Sequence, residues 1–236
     1  MPHISYSELK NWSECTWRHK LLYIDKLKRT QGNEHTSFGT AVHETVEQML
    51  LGKIVDPYAH FNNKLTEELE KVGIAEDTEL ASEMRKQITG MFELVEPALD
   101  EYFSEKGGWT LVATEQRLKE SITESRVEGY DFKGFIDLVL IDGDGHYHII
   151  DWKTCSWGWN ARKKNDILFT RQLVLYKYYY AKKLDIKLRA VSTHFGLMKR
   201  TLDFLDKALY NITNGTHYKN KLSCRYCPFA KTEHCP

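Results

Sequence analysis

Hydrophobic and polar positions alternate most regularly over residues 134–153, on both sides of an Asp-Gly-Asp-Gly turn at 142–145. Because successive side chains of a strand point to opposite faces, this pattern predicts two strands joined by a hairpin turn. A three-residue loop in the turn would place Asp137 directly opposite Asp151, whereas a slip of one residue would separate their faces. Lys153 follows Asp151 by two positions, so these two side chains share a face in either register.

Helical periodicity dominates the chain before this hairpin and returns after it. It predicts helices over 5–25, 38–52, 56–71, 76–106, 166–184 and 202–213. Ser7 is the expected N-cap of the first helix, and Pro97 is expected to kink or divide the fourth, because proline lacks a backbone donor. Alternation predicts further strands over 109–119 and 188–198. This order of elements predicts an α/β fold.

The hairpin also carries charges that bear on function. Two carboxylates, Asp137 and Asp151, and the ammonium group of Lys153 lie among apolar strand residues. Such charges are costly to bury without partners, and a divalent cation held by the carboxylates would supply one. The alternative is an ordinary hairpin whose Asp and Lys side chains face solvent.

Composition and charge bear on the partners and the location of the protein. The 236 residues carry 33 lysines and arginines against 33 aspartates and glutamates, so no net charge draws the chain toward nucleic acid. Residues 66–105 are rich in acids, and basic residues gather at 18–29, 162–164 and 182–189. These basic clusters favour a nucleic-acid groove or, alternatively, ordinary solvated helix surface. No apolar run approaches transmembrane length and the N-terminus lacks a secretory signal, which predicts a cytoplasmic protein with no membrane partner.

Three of the five cysteines lie close together near the C-terminus, namely Cys224, Cys227 and Cys235. Two intervening residues let both sulfurs of a Cys-x-x-Cys pair bind one metal centre. His217 and His234 are alternative ligands. Other interpretations are a zinc site, disulfides in an oxidising compartment, or free buried thiols. Cys155 has no nearby partner and is expected to be a small core residue.

Four short motifs, in this order along the chain, resemble those of the RecB-like branch of the PD-(D/E)XK nucleases. They are Gly39-Thr40-Ala41-Val42-His43, Gly134-Phe135-Ile136-Asp137, Asp151-Trp152-Lys153 and Gln172-Leu173-Val174-Leu175-Tyr176. The resemblance implies a restriction-endonuclease-like fold, in which helices flank a mixed sheet. It also implies hydrolysis of DNA phosphodiester bonds with Mg²⁺ or Mn²⁺, for which carboxylate oxygens are suitable ligands.

The resemblance implies particular roles at the metal. His43, Asp137, Asp151 and the backbone carbonyl of Trp152 would bind the cation. Lys153 would orient or deprotonate the attacking water, or stabilise the developing charge.

Residues outside the metal site have expected roles as well. Gln172 and Tyr176 share a helix face and, by the resemblance, would position the DNA strand or the catalytic lysine. The alternative for them is a helix face packed on the sheet. Glu115, on the preceding strand, is a possible carboxylate at the metal or beside its ligands, and the sequence leaves its role open. Trp157 and Trp159 form a candidate contact to single-stranded DNA, or simply anchor their loop.

Cys15 resembles the N-terminal cysteine of RecB-like nucleases that carry an iron–sulfur cluster, including CRISPR-associated exonucleases and AddB-type domains. In those proteins one cysteine precedes the nuclease core and three follow it. The resemblance therefore implies a 4Fe-4S cluster that joins the two ends of the chain, with Cys15, Cys224, Cys227 and Cys235 as ligands. On this basis we predict one nuclease domain over 1–236, with cluster-binding ends at 1–30 and 214–236, a helical insertion at 53–107 and a catalytic core at 108–200.

The expected function is a metal-dependent DNA exonuclease that acts on ends or on single strands, in recombination, repair or CRISPR adaptation. A helicase or a recombination or adaptation protein is the expected partner, in a bacterial, archaeal or phage-infected cell. Two alternatives stay open. One is a non-catalytic or structure-specific DNA-binding module, and the other is a restriction-type endonuclease.

Overall fold

The computed structural model describes residues 1–27, 32–154, 166–190 and 195–236. The chain forms two compact units, a central unit and a terminal unit. The central unit comprises Gln31–Gln116 and Ile136–Trp159, and the terminal unit comprises Met1–Thr30, Arg117–Phe135 and Asn160–Pro236. The prediction of one domain with a nested insertion stays a prediction.

The described residues contain both helices and strands. The α-helices are α1 (Tyr6–Glu14), α2 (Thr16–His19), α3 (Glu34–Leu50), α4 (Pro57–Lys71), α5 (Glu79–Gln87), α6 (Val95–Phe103), α7 (Ile167–Leu184) and α8 (Phe195–Thr213). The strands are β1 (His3–Ser5), β2 (Trp109–Ser121), β3 (Asp131–Asp142) and β4 (Tyr147–Ile150). A π-helical turn at Lys20–Ile24 follows α2, so the predicted helix over 5–25 is divided. Ser5 rather than Ser7 caps α1, because its Oγ accepts the N–H of Glu8 at 3.2 Å.

The strands form one mixed sheet, in which β3 lies between β1 and β2 and also pairs with β4. β1 runs parallel to β3, and β4 runs antiparallel to it, with Leu138 opposite Ile150. Continuing this register by one residue places Asp137 opposite Asp151, as predicted from a three-residue loop. The mixed sheet and its helices confirm the predicted α/β class.

The turn between β3 and β4 is fixed by Asp142. Its backbone N–H donates to the carbonyl of His146 at 3.0 Å, and its Oδ1 accepts the N–H groups of Asp144 and His146 at 3.1 and 2.8 Å. The N–H of Gly143 donates to the carbonyl of Lys106, and an added Cβ on Gly143 would lie 2.8 Å from the Cα of Gly107. Only glycine allows this backbone approach, which holds the loop and therefore the register.

Asn33 determines where α3 begins. Its Oδ1 accepts the N–H of Thr36 at 3.0 Å, and the Thr36 hydroxyl accepts the N–H of Asn33 at 2.9 Å. This reciprocal capping box starts the helix before the predicted position 38. One side of α3 is buried against α4 and Phe92, and its buried residues are Ser37, Ala41, Val42, Thr45 and Val46.

The predicted helix over 76–106 is broken before Pro97 rather than at it. α5 ends at Gln87, and the chain passes through Gly90, whose φ is 79°, before α6 begins at Val95. Pro97 lies in the first turn of α6, where a helix needs no backbone donor. Leu99 and Phe103 of α6 then pack against Leu138 and Leu140 of the sheet.

α7 packs its tyrosines against β3 in the terminal unit. Tyr179 is fully buried and stacks on Phe132, with ring centroids 4.5 Å apart. An added Cβ on Gly134 would lie 2.6 Å from Cε1 of Tyr176, closer than real contacts allow. Gly134 therefore leaves the space that the Tyr176 ring occupies.

The predicted strand over 188–198 is wrong. Leu188–Ala190 forms a short 3₁₀ turn, residues 191–194 lie outside the described residues, and α8 begins at Phe195. The buried residues of α8 recur at helical spacing, namely Met198, Thr201, Leu205, Ala208 and Leu209. No helix in the described ranges is both long enough and apolar enough to cross a membrane.

Candidate active site

Asp137 and Asp151 face each other across the β3–β4 hairpin of the central unit. Asp137 lies between the fully buried Ile136 and Leu138, and its own side chain is only 13% exposed. Its Oδ2 accepts the backbone N–H of Trp152 at 2.7 Å. The contact of Trp152 with this carboxylate is thus through its N–H, whereas the sequence predicted a role for its carbonyl.

His43 approaches the same carboxylate from α3. Its Nδ1 lies 3.4 Å from Oδ2 of Asp137. Burial raises the pKa of Asp137 above its ordinary value; the charge of His43 lowers it, and the charge of Asp151 raises it further. The carboxylate is therefore short of positive charge, and a divalent cation would supply it.

Asp151 and Lys153 form an ion pair just beyond the end of β4 at Ile150, so the predicted strand over these two residues is wrong although their side chains meet as predicted. The Asp151 side chain is 7% exposed and that of Lys153 is 29% exposed. The ammonium group is thus within reach of solvent water while it stays beside a buried carboxylate.

A cleft of about 710 Å³ opens beside His43 and is lined by further polar residues of α3 and β2. Glu44 and Glu47 contribute from α3, and Glu115 contributes from β2. Glu44 pairs with Lys64 at 2.7 Å, whereas Glu47 accepts a hydrogen bond from the hydroxyl of Thr114 at 3.0 Å. His43 and Glu47 therefore line one cavity, as their spacing on a helix predicts.

The donor set suits a hard divalent cation. Asp137, Glu47 and Glu115 bring carboxylates to one region of the central unit, and His43 adds an imidazole nitrogen. Carboxylate oxygens are the preferred ligands of Mg²⁺, and Mn²⁺ also accepts imidazole. The residues present thus fit the cation that the motifs imply.

A separate set of ligand atoms is more compact. Within the described residues, Asp142, Asp144 and His146 are the three whose ligand atoms all lie within 4.8 Å of one another. They form a potential metal site that the family motifs did not indicate. The sequence did carry a signal for it, because the three residues alternate at positions 142, 144 and 146 of the turn. Both carboxylate oxygens of Asp142 already have partners. Its Oδ1 accepts the N–H groups of the turn, and its Oδ2 lies 2.8 Å from Nε2 of His148.

Gln172 and Tyr176 lie on α7 in the terminal unit. The Gln172 side-chain amide donates to the hydroxyl of Tyr176 at 3.2 Å, so the two residues share a helix face as predicted. The Tyr176 side chain is largely buried against β3, close to Gly134.

The four described cysteines, all in the terminal unit, are free thiols: Cys15, Cys224, Cys227 and Cys235. Asn220 lies between two of them. Its N–H donates to Sγ of Cys15 at 3.3 Å, and its carbonyl accepts from Sγ of Cys224 at 3.8 Å. Within the described ranges the sulfurs do not form a set of three ligand atoms as compact as that of the turn, so this geometry alone does not support the predicted cluster.

Some predicted residues lie outside the described residues. They are Cys155, Trp157, Trp159 and the basic residues at 28–29 and 162–164.

Comparison of the chain with models of known protein families found a match to one family. The model of the PD-(D/E)XK nuclease superfamily matches residues 3–232, which is nearly the whole chain. A search of curated proteins found no match. Members of this superfamily are generally nucleases that depend on Mg²⁺ or Mn²⁺, and the mixed α/β fold agrees with that assignment. The chain therefore belongs to the PD-(D/E)XK nuclease superfamily.

Proposed function

We propose that the protein is a metal-dependent DNA exonuclease of the RecB-like branch, acting on DNA ends or single strands. The observation that carries this proposal is the meeting of Asp137, His43 and the Asp151–Lys153 pair around one hairpin of the central unit. These are the residues that the branch's motifs mark, in the order in which the branch has them.

Asp137, Asp151 and His43 would hold the cation, with the carbonyl of Trp152 as a further ligand. A bound Mg²⁺ or Mn²⁺ supplies charge neutralisation at the phosphate and lowers the pKa of water. Lys153 lies beside Asp151 with part of its side chain in solvent, so it can orient the attacking water or take its proton. The N–H of Trp152 fixes the orientation of the Asp137 carboxylate.

Gln172 and Tyr176 are proposed to position the DNA strand. Their mutual hydrogen bond orients the amide, and the packing of Tyr176 holds the pair rigidly on α7. The expected setting is recombination, repair or CRISPR adaptation, with a helicase or adaptation protein as partner.

We also propose a 4Fe-4S cluster held by Cys15, Cys224, Cys227 and Cys235. Its support is the cysteine layout together with contacts that tie both ends of the chain. Asn220 bridges Cys15 and Cys224, and the Trp17 indole donates to the carbonyl of His234, next to Cys235, at 3.1 Å. A cubane is wider than a single ion, so its thiolates would lie further apart than zinc ligands do.

Cleavage of end-labelled single-stranded DNA tests the function. With Mg²⁺ or Mn²⁺ we expect stepwise shortening from an end, no cleavage in EDTA, and no cleavage by Asp151→Ala. Covalently closed circular DNA is the matched control substrate and should stay intact. Cleavage of the circle would favour a restriction-type endonuclease, and binding without cleavage would favour a non-catalytic module.

A further inference from the structure

A stretch near the C-terminus carries charge of one sign. Between Asp206 and Glu233 the sequence has no acidic residue, and its cations are Lys207, Lys219, Lys221, Arg225 and Lys231. Lys219 and Lys221 are exposed, and within the described ranges neither forms an ion pair. Because no carboxylate neutralises these two ammonium groups, they favour an anionic partner.

Tyr218 directly precedes these lysines and combines a fixed backbone with an exposed ring. Its carbonyl accepts the N–H of Trp17 and the hydroxyl of Thr16, each at 3.0 Å, and its own N–H donates to the same hydroxyl. The Tyr218 side chain is nevertheless 72% exposed. The protein thus holds an aromatic face in solvent on an anchored backbone, and such a face can stack on another ring system.

Trp17 holds two ammonium groups at the same part of the terminal unit. Nζ of Lys20 lies 5.3 Å and Nζ of Lys219 lies 5.4 Å from the centroid of its ring, which is the range of a cation–π interaction. The indole N–H donates to the carbonyl of His234 at 3.1 Å and so fixes the ring. Asp25 neutralises Lys20, whereas the charge of Lys219 stays available beside Tyr218 in the chain.

We infer that Trp17, Tyr218, Lys219 and Lys221, here called the Tyr218 surface, bind single-stranded DNA. The Tyr218 ring would stack on an unpaired base and the lysines would contact the phosphates, which is the combination that single strands require. A duplex hides the faces of its bases, and an acidic peptide would use the lysines but not the ring. The inference goes beyond the proposed function, because this binding needs neither the divalent cation nor cleavage.

Binding without metal tests the aromatic part of the inference. The probe is a fluorescein-labelled oligothymidylate of about 15 nucleotides, titrated with the full chain in EDTA and followed by fluorescence anisotropy. Tyr218→Leu removes the flat ring and should bind about tenfold more weakly, whereas Tyr218→Phe keeps the ring and should bind as the wild type does. Tyr102→Leu is the matched control, because Tyr102 is 60% exposed but belongs to the acidic segment of the central unit.

The dependence on salt tests the lysines. The double variant Lys219→Gln/Lys221→Gln should bind more weakly, and its plot of log affinity against log salt concentration should be shallower by roughly 1. Lys53→Gln/Lys86→Gln removes two exposed lysines elsewhere and should keep the wild-type slope. Equal slopes for the two double variants would contradict phosphate contacts at the Tyr218 surface.

Photochemical cross-linking locates the contact in the wild type, so it does not depend on whether a variant folds. An oligothymidylate that carries iododeoxyuridine should cross-link to a peptide containing Tyr218 or Trp17, as identified by mass spectrometry. Cross-links confined to other peptides would overturn the inference. An unlabelled blunt duplex should displace the bound single strand poorly, and displacement as effective as that by the single strand itself would also overturn it.

Failure of the inference can be told apart from failure of the proposed function. Wild-type affinity in both Tyr218→Leu and Lys219→Gln/Lys221→Gln, with DNA still cleaved in Mn²⁺, would overturn the inference alone. Binding that depends on Tyr218 and the lysines, without any cleavage in Mg²⁺ or Mn²⁺, would support the inference and overturn the proposed nuclease.

Discussion

At the scale of single residues, Asp137 is a mostly buried carboxylate whose pKa is raised by its surroundings in the hairpin. Burial and the charge of Asp151 raise its pKa, whereas the charges of His43 and Lys153 and the N–H of Trp152 lower it. We expect Asp137→Ala and Asp151→Ala to lose cleavage by on the order of 10²-fold or more, because charge stabilisation by the cation is lost. Lys153→Ala should lose activity comparably while the fold is retained. Single-turnover cleavage and circular dichroism measure the two effects.

Asp144→Asn is the control for these variants. Asp144 is an exposed carboxylate in the hairpin turn and belongs to the compact Asp142-Asp144-His146 set. It should retain wild-type cleavage and Mn²⁺ affinity. If Asp144→Asn were inactive and Asp151→Ala active, the catalytic cation would have to be placed in the turn.

His43 can be assigned by comparing activity with stability. As a metal ligand, its loss in His43→Ala should raise the Mn²⁺ concentration needed for cleavage at least about tenfold, with little change in thermal midpoint. His35→Ala, at an exposed position on the same helix, should change neither. A lowered midpoint with full activity per folded molecule would instead make His43 structural.

Sequence patterns predict the site residues unevenly. The approach of Asp137 to Asp151 was predictable because it depends on strand pairing and on one local turn. The orientation of Glu115 was not, because it depends on a φ of 44° that no local residue pattern requires. Glutamate is not a residue that favours this conformation, so only the three-dimensional surroundings can impose it.

At the scale of elements, the hairpin was predicted, and its observed register is the one that a three-residue loop gives. For α8, only residues 202–213 were predicted as helix, and its first turn was predicted as strand. The first turn of α8 falls in a segment whose branched and aromatic residues alternate as in a strand. Met198 and Thr201 join the buried face of the helix, which is set by contacts with residues distant in sequence. Intrinsic preference yields to such packing, and this explains why the strand predicted over 188–198 was wrong.

Glu124 ties α7 to the turn after β2. It accepts hydrogen bonds from the hydroxyl of Tyr178 at 2.7 Å and from Lys182 at 3.0 Å. Burial alone would raise the pKa of Glu124, but hydrogen bonds from Tyr178, Thr123 and Lys182 outweigh it and lower the pKa to about 2. A carboxyl whose pKa is lowered by folding stabilises the fold above its unfolded pKa, and that stability is lost as the pH falls toward 2.

Because solvent partly screens this carboxyl, the full pKa shift overstates its contribution, and we expect the free energy of unfolding of the wild type to fall by at most about 2 kcal/mol more than that of Glu124→Gln between pH 5 and about pH 2. Urea unfolding at a series of pH values measures this difference. Glu128→Gln, an exposed position in the same turn, is the control and should follow the wild type. Identical pH profiles for wild type and Glu124→Gln would show that the network contributes nothing.

At the scale of the whole molecule, the proposed metal ligands belong to the central unit and the four described cysteines belong to the terminal unit. Which segments assemble into each unit was not predictable, because periodicity reports local structure and not long-range contacts. The acidic segment 66–105 illustrates this: its helices were predicted, but their common core with α3 was not.

The cysteines give a prediction about the whole chain. Replacement of Cys15, Cys224, Cys227 or Cys235 by serine should remove the brown colour and lower the thermal midpoint by about 5 °C or more, because cluster binding favours the folded state. Iron quantification and visible absorbance of anaerobically purified protein are the measurements. Cys155→Ser is the control and should stay brown. One equivalent of zinc without iron would contradict the cluster, and a brown Cys15→Ala would exclude Cys15 as a ligand.

The close approach of Gly134 to Tyr176 has a consequence for how this chain can evolve. An alanine at position 134 would displace the Tyr176 ring, and with it the hydrogen bond to Gln172. Two motifs that are far apart in the sequence thus share one packing contact. A lineage that lost the glycine would have to replace the tyrosine with a smaller residue as well. We therefore expect these two positions to change together among descendants of a common ancestor, even where the neighbouring strand and helix residues drift independently.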